Sequence, residues 1–190
     1  QCMVIADGLA QKSCMTPLQA NMKVQSLEDL PQLPADDRVP QLDNVPTKEV
    51  EVLIIGAGPA GLSAAIELGK IGVEVLIIDD KDRLGGKLVL QTHKFFGSVK
   101  DSHAGTRGFE IGNILEKELS TYKSVEVWLN TTAVAVFSDK IVGVIKVDQY
   151  RKISSRKLLV ATGAREKMLS FPGNTLPGVY GAGAFQTLVN

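Results

Sequence analysis

Three glycines at positions 56, 58 and 61, within LIIGAGPAGLSAA (residues 53–65), have the spacing that lets a chain wrap a phosphate. The chemistry they offer is anion recognition. Gly56 permits a tight turn, Gly58 lets backbone approach a pyrophosphate, and Gly61 allows the following helix to pack closely on the preceding strand. Pro59 and Ala60 fall in the first helical turn, whose positive end would face the phosphates. Further along stand two acids, Asp79 and Asp80. Asp79 is suited to accept hydrogen bonds from ribose hydroxyls, and its charge argues against a 2′-phosphate beside it.

A glycine triplet alone is weak evidence, so the elements around it decide. Residues 50–55 (VEVLII) are a mostly apolar, β-branched run, as in a parallel strand buried on both faces. Residues 59–70 place Leu62, Ala65, Ile66 and Gly69 on one helical face, and Gly72 stops the helix. Residues 73–78 (VEVLII) read as a second strand ending at the two acids. Together these make a complete βαβ unit with an acid at its far end.

The turn does not by itself separate FAD from NAD. Two further landmarks bear on that choice. DRLGG (82–86) follows the acids directly, and there Arg83, Gly85 and Gly86 would bring backbone close to a ribityl chain or flavin edge. KLLVATGA (157–164) is an apolar strand that breaks at Thr162 and Gly163, after Ala161, returning backbone to the same crevice. G-x-G-x-x-G, then R-x-G-G, then A-T-G resembles the FAD domain of the two-dinucleotide-binding-domain flavoproteins, over about residues 49–190. The resemblance implies an α/β fold: a Rossmann-like FAD-binding domain with parallel sheet, flanking helices and a β-meander.

The middle of the chain fits that plan. Residues 108–123 put Ile111, Ile114, Leu115 and Leu119 on one face of an amphipathic helix, and 125–129 alternate as a strand. Residues 132–137, 141–147 and 151–155 read as a β-meander inserted before the A-T-G strand. By the resemblance, Ala133 and Val134 lie where backbone meets adenine, although plain strand packing explains both equally well.

Residues 161–190 are similar to the flavoprotein subunits of hydrogen cyanide synthase, to the alpha chains of sarcosine oxidase, and to opine and dye-linked proline dehydrogenases. Those enzymes remove a hydride from the carbon beside an amine nitrogen. Here Gly85-Gly86-Lys87 stands where that group more usually has GGQ. Gln91, His93 and Lys94 follow at a distance that reaches a flavin's reactive edge, with solvated loop residues as the simpler reading. His103 and Arg107 are weaker candidates, Arg107 because it suits a helix start. No catalytic base can be named from these residues. A redox cysteine pair of the glutathione reductase kind is absent from the stretch after the double glycine. A pair of the thioredoxin reductase kind would lie beyond residue 190.

The two cysteines, Cys2 and Cys14, lie at the other end, with an alternating strand and a D-G turn between them. Residues 1–24 resemble the C-terminal part of a plant-type [2Fe-2S] ferredoxin module, with Asn21-Met22 replacing a G-M. The resemblance implies that Cys2 and Cys14 are two of four cluster ligands in a longer parent protein. Ordinary thiols are the alternative. Residues 25–48, with Pro31, Pro34, Pro40 and Pro46, read as a semi-extended tether, and 49–190 as an FAD-binding domain that lacks its second dinucleotide domain. The chain is thus expected to be a fragment.

With 21 basic and 21 acidic side chains and no basic block, the sequence has no footprint for nucleic acid. The uncharged run 52–66 is too short and glycine-rich to span a membrane, and no secretory signal is present, which points to the cytoplasm. The expectation is an FAD-dependent oxidoreductase acting on a small amine or amino acid, with electrons passing to the iron-sulfur centre and on to partner subunits or another acceptor. An NAD(P)H-dependent reductase would use the same domain in the opposite direction. A non-catalytic scaffold would require damaged cofactor residues, and here the glycines and acids are intact.

Overall fold

A computed structural model describes residues 3–27 and 44–189, which form two compact units divided after residue 43. In the first unit, β1 (Met3–Ala6) and β2 (Leu9–Lys12) make an antiparallel hairpin. Asp7 and Gly8 both have positive φ, 48° and 85°, as a two-residue hairpin turn compatible with strand twist requires. The Asp7 carboxylate accepts the Lys23 N–H at 2.9 Å and steers the chain back into β3 (Val24–Ser26), which pairs with the other edge of β1. Cys14 is exposed on a short 3-10 turn, Ser13–Met15. Cys2 lies outside the described residues, as does the stretch 28–43 of the proline-rich tether.

In the second unit, β4 (Thr47–Ile55), α1 (Pro59–Lys70) and β5 (Val75–Ile78) form the βαβ unit. A four-residue helix α2 (Val99–Ser102) and α3 (Gly108–Leu119) precede β6 (Val125–Trp128). The strands β7 (Thr131–Val136), β8 (Ile141–Lys146) and β9 (Gln149–Val160) follow, and α4 (Ala182–Val189) comes last. One six-stranded sheet has the order β6-β5-β4-β9-β8-β7; the first four strands are parallel, and β8 and β7 join antiparallel.

All four residues of β5 are buried, because the sheet is covered on both faces. Val75 and Ile77 pack with Leu62 and Ile66 of α1 and Ile111, Leu115 and Leu119 of α3. Leu76 and Ile78 face the other way, onto Leu53, Val142, Val144 and Ile153. This alternation lets a short apolar strand join two cores. The buried residues of α1 include Leu62, Ala65, Ile66 and Gly69, the face read from the sequence.

Three expectations are corrected. Residues 73 and 74 are not strand: the Val73 N–H is held by the Leu68 carbonyl at the end of α1, at 3.1 Å. Ile114 flanks the apolar stripe of α3 rather than joining it, and is 39% exposed. The last meander strand and the A-T-G strand are one element, β9, since residues 149–160 contain no glycine, proline, asparagine or aspartate to break them. β9 pairs antiparallel with β8 from Gln149 to Ser154 and parallel with β4 from Lys152 to Val160, so it belongs to both the meander and the parallel sheet.

Trp128 closes the rim of the second core. Its Nε1 donates to Glu126 Oε1 at 2.6 Å, Glu126 Oε2 pairs with Lys48 at 2.8 Å, and the Lys146 ammonium lies 4.1 Å from the ring centroid. Lys48, by its hydrogen bond, together with Trp128, holds the Glu126 carboxyl below its usual value of 4.5. Burial and the neighbouring Arg151 push Lys146 down.

Candidate functional site: a glycine-lined crevice at the strand ends

The ends of β4, β5 and β9 converge on the turn at residues 56–58. Gly56 has φ 106°, and a Cβ there would run into the Ala161 carbonyl oxygen that follows β9. The Ala161 N–H in turn donates to Ile55 O at 2.8 Å, so the A-T-G segment braces the turn from behind. A Cβ at Gly61 would strike the Gly56 carbonyl oxygen, which is why α1 can begin so close to the turn. Gly58 differs from both. Its φ of −74° suits any residue and nothing lies within 4 Å of the position a Cβ would take. The space beside Gly58 is a cradle that a methyl group would fill.

α1 starts at Pro59, and its first hydrogen bond beyond the turn runs from the Leu62 N–H to Gly58 O at 2.9 Å. The amides of Ala60 and Gly61 precede that bond and have no acceptor within the helix, leaving two donors at its positive end. This is a donor set for a phosphate.

The double glycine closes the crevice from the other side. The Gly85 N–H donates to Ala57 O at 2.9 Å, and a Cβ at Gly86 would lie 2.8 Å from Gly58 Cα. Both residues have positive φ, 102° and 54°. Conformation and contact with the turn therefore both demand glycine here. Arg83 and Lys87 are exposed on either side. Thr162 and Gly163 are exposed just past β9, and nothing lies within 4 Å of a Cβ built on Gly163.

The two acids occupy different settings. Asp79 is half-buried; its Oδ2 accepts the Ala57 N–H at 2.6 Å and its Oδ1 accepts the Lys81 N–H at 2.9 Å. Asp80 is exposed, and the Lys81 ammonium 2.9 Å away holds its carboxyl below the usual range. Ala133 and Val134 lie on β7 at the sheet edge. The pairing jumps from Ala133 opposite Val144 to Ala135 opposite Gly143, so the ladder skips Val134 in a bulge. Sequence reading had no signal for that bulge.

Of the candidates after the double glycine, Gln91 and His93 are half-buried and Lys94 is exposed. Gln91 accepts the Gln186 Nε2–H of α4 at 2.7 Å, and its carbonyl accepts the Phe109 N–H at 3.3 Å. His93 stacks on Phe96 with centroids 4.5 Å apart. His103 ends α2 in the left-handed region, while Arg107 precedes α3 and its N–H is capped by the Glu110 carboxylate at 3.1 Å. A second glycine pair, Gly181 and Gly183, opens α4, but there Glu166 is already seated: its Oε2 accepts the Gly183 N–H at 3.0 Å. Cysteine is absent from residues 15–190, so the crevice has no redox thiol pair of its own.

The profile of the pyridine nucleotide-disulphide oxidoreductases matches residues 50–187. The chain belongs to that family. Its members include FAD-dependent oxidoreductases, and the mixed α/β sheet described above is the fold of the family's FAD-binding domain. Among curated relatives, the chain is 31% identical over 154 residues to the alpha chain of sarcosine oxidase from Rhizobium meliloti, covering 74% of this chain and 15% of that one. It is 34% identical over 136 residues to the HcnB subunit of hydrogen cyanide synthase from Pseudomonas protegens, covering 70% and 29%. An opine oxidase subunit from Agrobacterium tumefaciens is 32% identical over 146 residues, covering 72% and 28%. The chain thus spans less than a third of these relatives. L-proline dehydrogenase from P. horikoshii shares the fold with a TM-score of 0.58 at 23% identity, covering 93% of this chain and 34% of that one.

Among the described residues no three His, Cys, Asp or Glu side chains converge as metal ligands, and no helix is long and apolar enough to cross a membrane.

Proposed function

We propose that this chain is the FAD-binding part of an enzyme that oxidises an amine or amino acid. The observation that carries the reading is the convergence of three separate sequence landmarks on one crevice: the A-T-G backbone behind Gly56, the double glycine against Ala57 and Gly58, and an open cradle at Gly58. In this reading the Ala60 and Gly61 amides bind the pyrophosphate, Asp79 accepts from the adenosine ribose, and the unpaired backbone at Val134 meets the adenine edge. Arg83, Lys87, Thr162 and Gly163 line the path of the ribityl chain. FAD, when bound, supplies an acceptor for a hydride from the carbon beside nitrogen. The chain's own residues bind and orient the dinucleotide in this account.

The substrate class is supported by relatives named as sarcosine and opine oxidases. Those relatives are also named as subunits, which supports a partner subunit here; the same reading assigns the protein to the cytoplasm. Cys2 and Cys14 are then two of the four thiolates of a [2Fe-2S] cluster, the other two coming from outside these 190 residues. Cys14 is exposed, as a ligand awaiting partners would be, and two cysteines alone do not make the site.

The test is an anaerobic absorption spectrum of the intact protein, before and after addition of sarcosine, proline or NADH. Flavin bands bleached by an amine and not by NADH support the reading. Bleaching by NADH alone assigns the protein as an NAD(P)H-dependent reductase instead, and a spectrum without flavin bands overturns the proposal.

A further inference from the structure

α4 is inside out for a surface helix. None of its residues is buried; Gly183 and Gln186 are half-buried, while Phe185, Leu188 and Val189 are exposed. Burial of an apolar stripe, the usual way to fix a surface helix, is therefore not what fixes this one. Polar contacts take that part. At its start, the Glu166 carboxylate accepts the Gly183 N–H at 3.0 Å and the Ala184 N–H at 3.4 Å, in a space that a Cβ on Gly181 would fill. Further along, the Gln186 Nε2–H donates to Gln91 Oε1 at 2.7 Å, 95 positions away in the chain.

Gln91 is a fixed post. It ends the 3-10 helix Gly86–Leu90, which begins in the double glycine; its N–H donates to Leu88 O at 3.0 Å, and Leu88 is buried in the first core. The start of α3 closes on it, since a Cβ at Gly108 would run into the Gln91 side chain and lie 2.8 Å from Leu88 O. Glu166, for its part, follows closely on Ala161, whose carbonyl braces Gly56. α4 thus joins the A-T-G side of the crevice to the double-glycine side.

We infer that Gln186 is a positioning residue: its bond to Gln91 makes α4 a strap that holds the A-T-G segment and the double-glycine loop at the spacing the flavin half of FAD requires. The spacing role rests on the FAD reading above; the fastening of α4 through Gln186 does not. An element with few buried apolar contacts opens at a small free energy. While it is open, the two walls are free to separate, so the binding-competent fraction falls and the apparent affinity falls with it. In the same reading the adenosine half is held by Asp79, the α1 amides and β7, not by the walls that α4 joins. Loss of the strap should therefore be felt by one half of the ligand and not by the other.

The intact protein, stripped of flavin, is titrated with FAD and with ADP as a competitor for the same site. Gln186→Met removes the donor and keeps the length of the side chain. It is expected to weaken FAD about three- to tenfold, the equivalent of one neutral hydrogen bond, and to leave ADP unchanged. Gln91→Met is expected to do the same, and the double variant to lose no more than either single one. In the flavin-free protein the Phe185 amide, which donates to Gly181 O at 2.9 Å, should exchange about three- to tenfold faster in Gln186→Met.

Equal losses for FAD and ADP would put the effect on the whole fold, and additive losses in the double variant would dissolve the link; either overturns the inference, as does an unchanged FAD affinity. If the wild-type protein binds no FAD, the FAD reading fails and the spacing role with it. Exchange at Phe185 then still decides whether Gln186 fastens α4.

Discussion

Gly58→Ala and Gly61→Ala add the same methyl group three residues apart, and the structure gives them opposite consequences. At Gly58 the backbone is extended, φ −74° and ψ −176°, and nothing lies within 4 Å of the added carbon. Loss of glycine's unfolded-state freedom should then raise stability by about 0.5 kcal/mol. The methyl occupies the cradle, so FAD must shift or be expelled, a packing cost of about 1–3 kcal/mol. That is roughly a 5- to 150-fold loss of affinity. At Gly61 alanine gains about 1 kcal/mol of helix propensity. Its Cβ, however, overlaps the Gly56 carbonyl oxygen, a backbone atom that cannot rotate away. The net is a destabilisation of about 2 kcal/mol or more. Thermal unfolding of the flavin-free proteins reads stability, and quenching of flavin fluorescence reads affinity. A folded Gly58→Ala protein that binds FAD like wild type would refute the cradle, and a Gly61→Ala protein more stable than wild type would refute the packing argument.

Three further outcomes are expected. Gly86→Ala forces φ 54° on a residue with a side chain and sets its Cβ 2.8 Å from Gly58 Cα, so unfolding should cost about 2–3 kcal/mol less, measured by urea titration. Glu166→Ala removes the carboxylate from the start of α4, and hydrogen exchange of the Gly183 and Ala184 amides should accelerate by roughly fivefold, the equivalent of about 1 kcal/mol. The Glu126 carboxyl is depressed below 4.5 in the folded state by Lys48 and Trp128, so its contribution is present above the unfolded value and is lost as pH falls through the folded one. Melting temperature should fall more steeply below pH 4.5 in wild type than in Glu126→Gln; the group is half exposed, so the difference is under about 1 kcal/mol, and coincident slopes would reject the pairing.

What sequence reading recovered, and what it missed, divides along the range of the forces involved. The bounds of α1 were legible because Gly58, Pro59 and Gly72 punctuate it locally, and its buried face because an apolar stripe at helical spacing has one way to be covered. The merging of two expected strands into β9 was legible in part: residues 149–160 contain no glycine, proline, asparagine or aspartate, yet a period-two pattern does not announce that one strand pairs with two different neighbours. The seat of Glu166 on α4 and the bulge at Val134 depend on which segments the fold brings together, across 17 residues in the first case and across a strand ladder in the second.

The acids at the end of β5 show the same limit at the site itself. Sequence reading gives the ribose role to Asp79 and no separate role to Asp80, although both are carboxylates that follow the second strand. What distinguishes them is the course of the chain past Ile78, where β5 ends, since it leaves the adjacent acids beside different neighbours. One reaches the Ala57 amide, 22 positions away, and the other is left to the solvent and a lysine. A motif read as a string places two carboxylates near the glycines; only the fold shows which of them also meets an amide of the glycine turn.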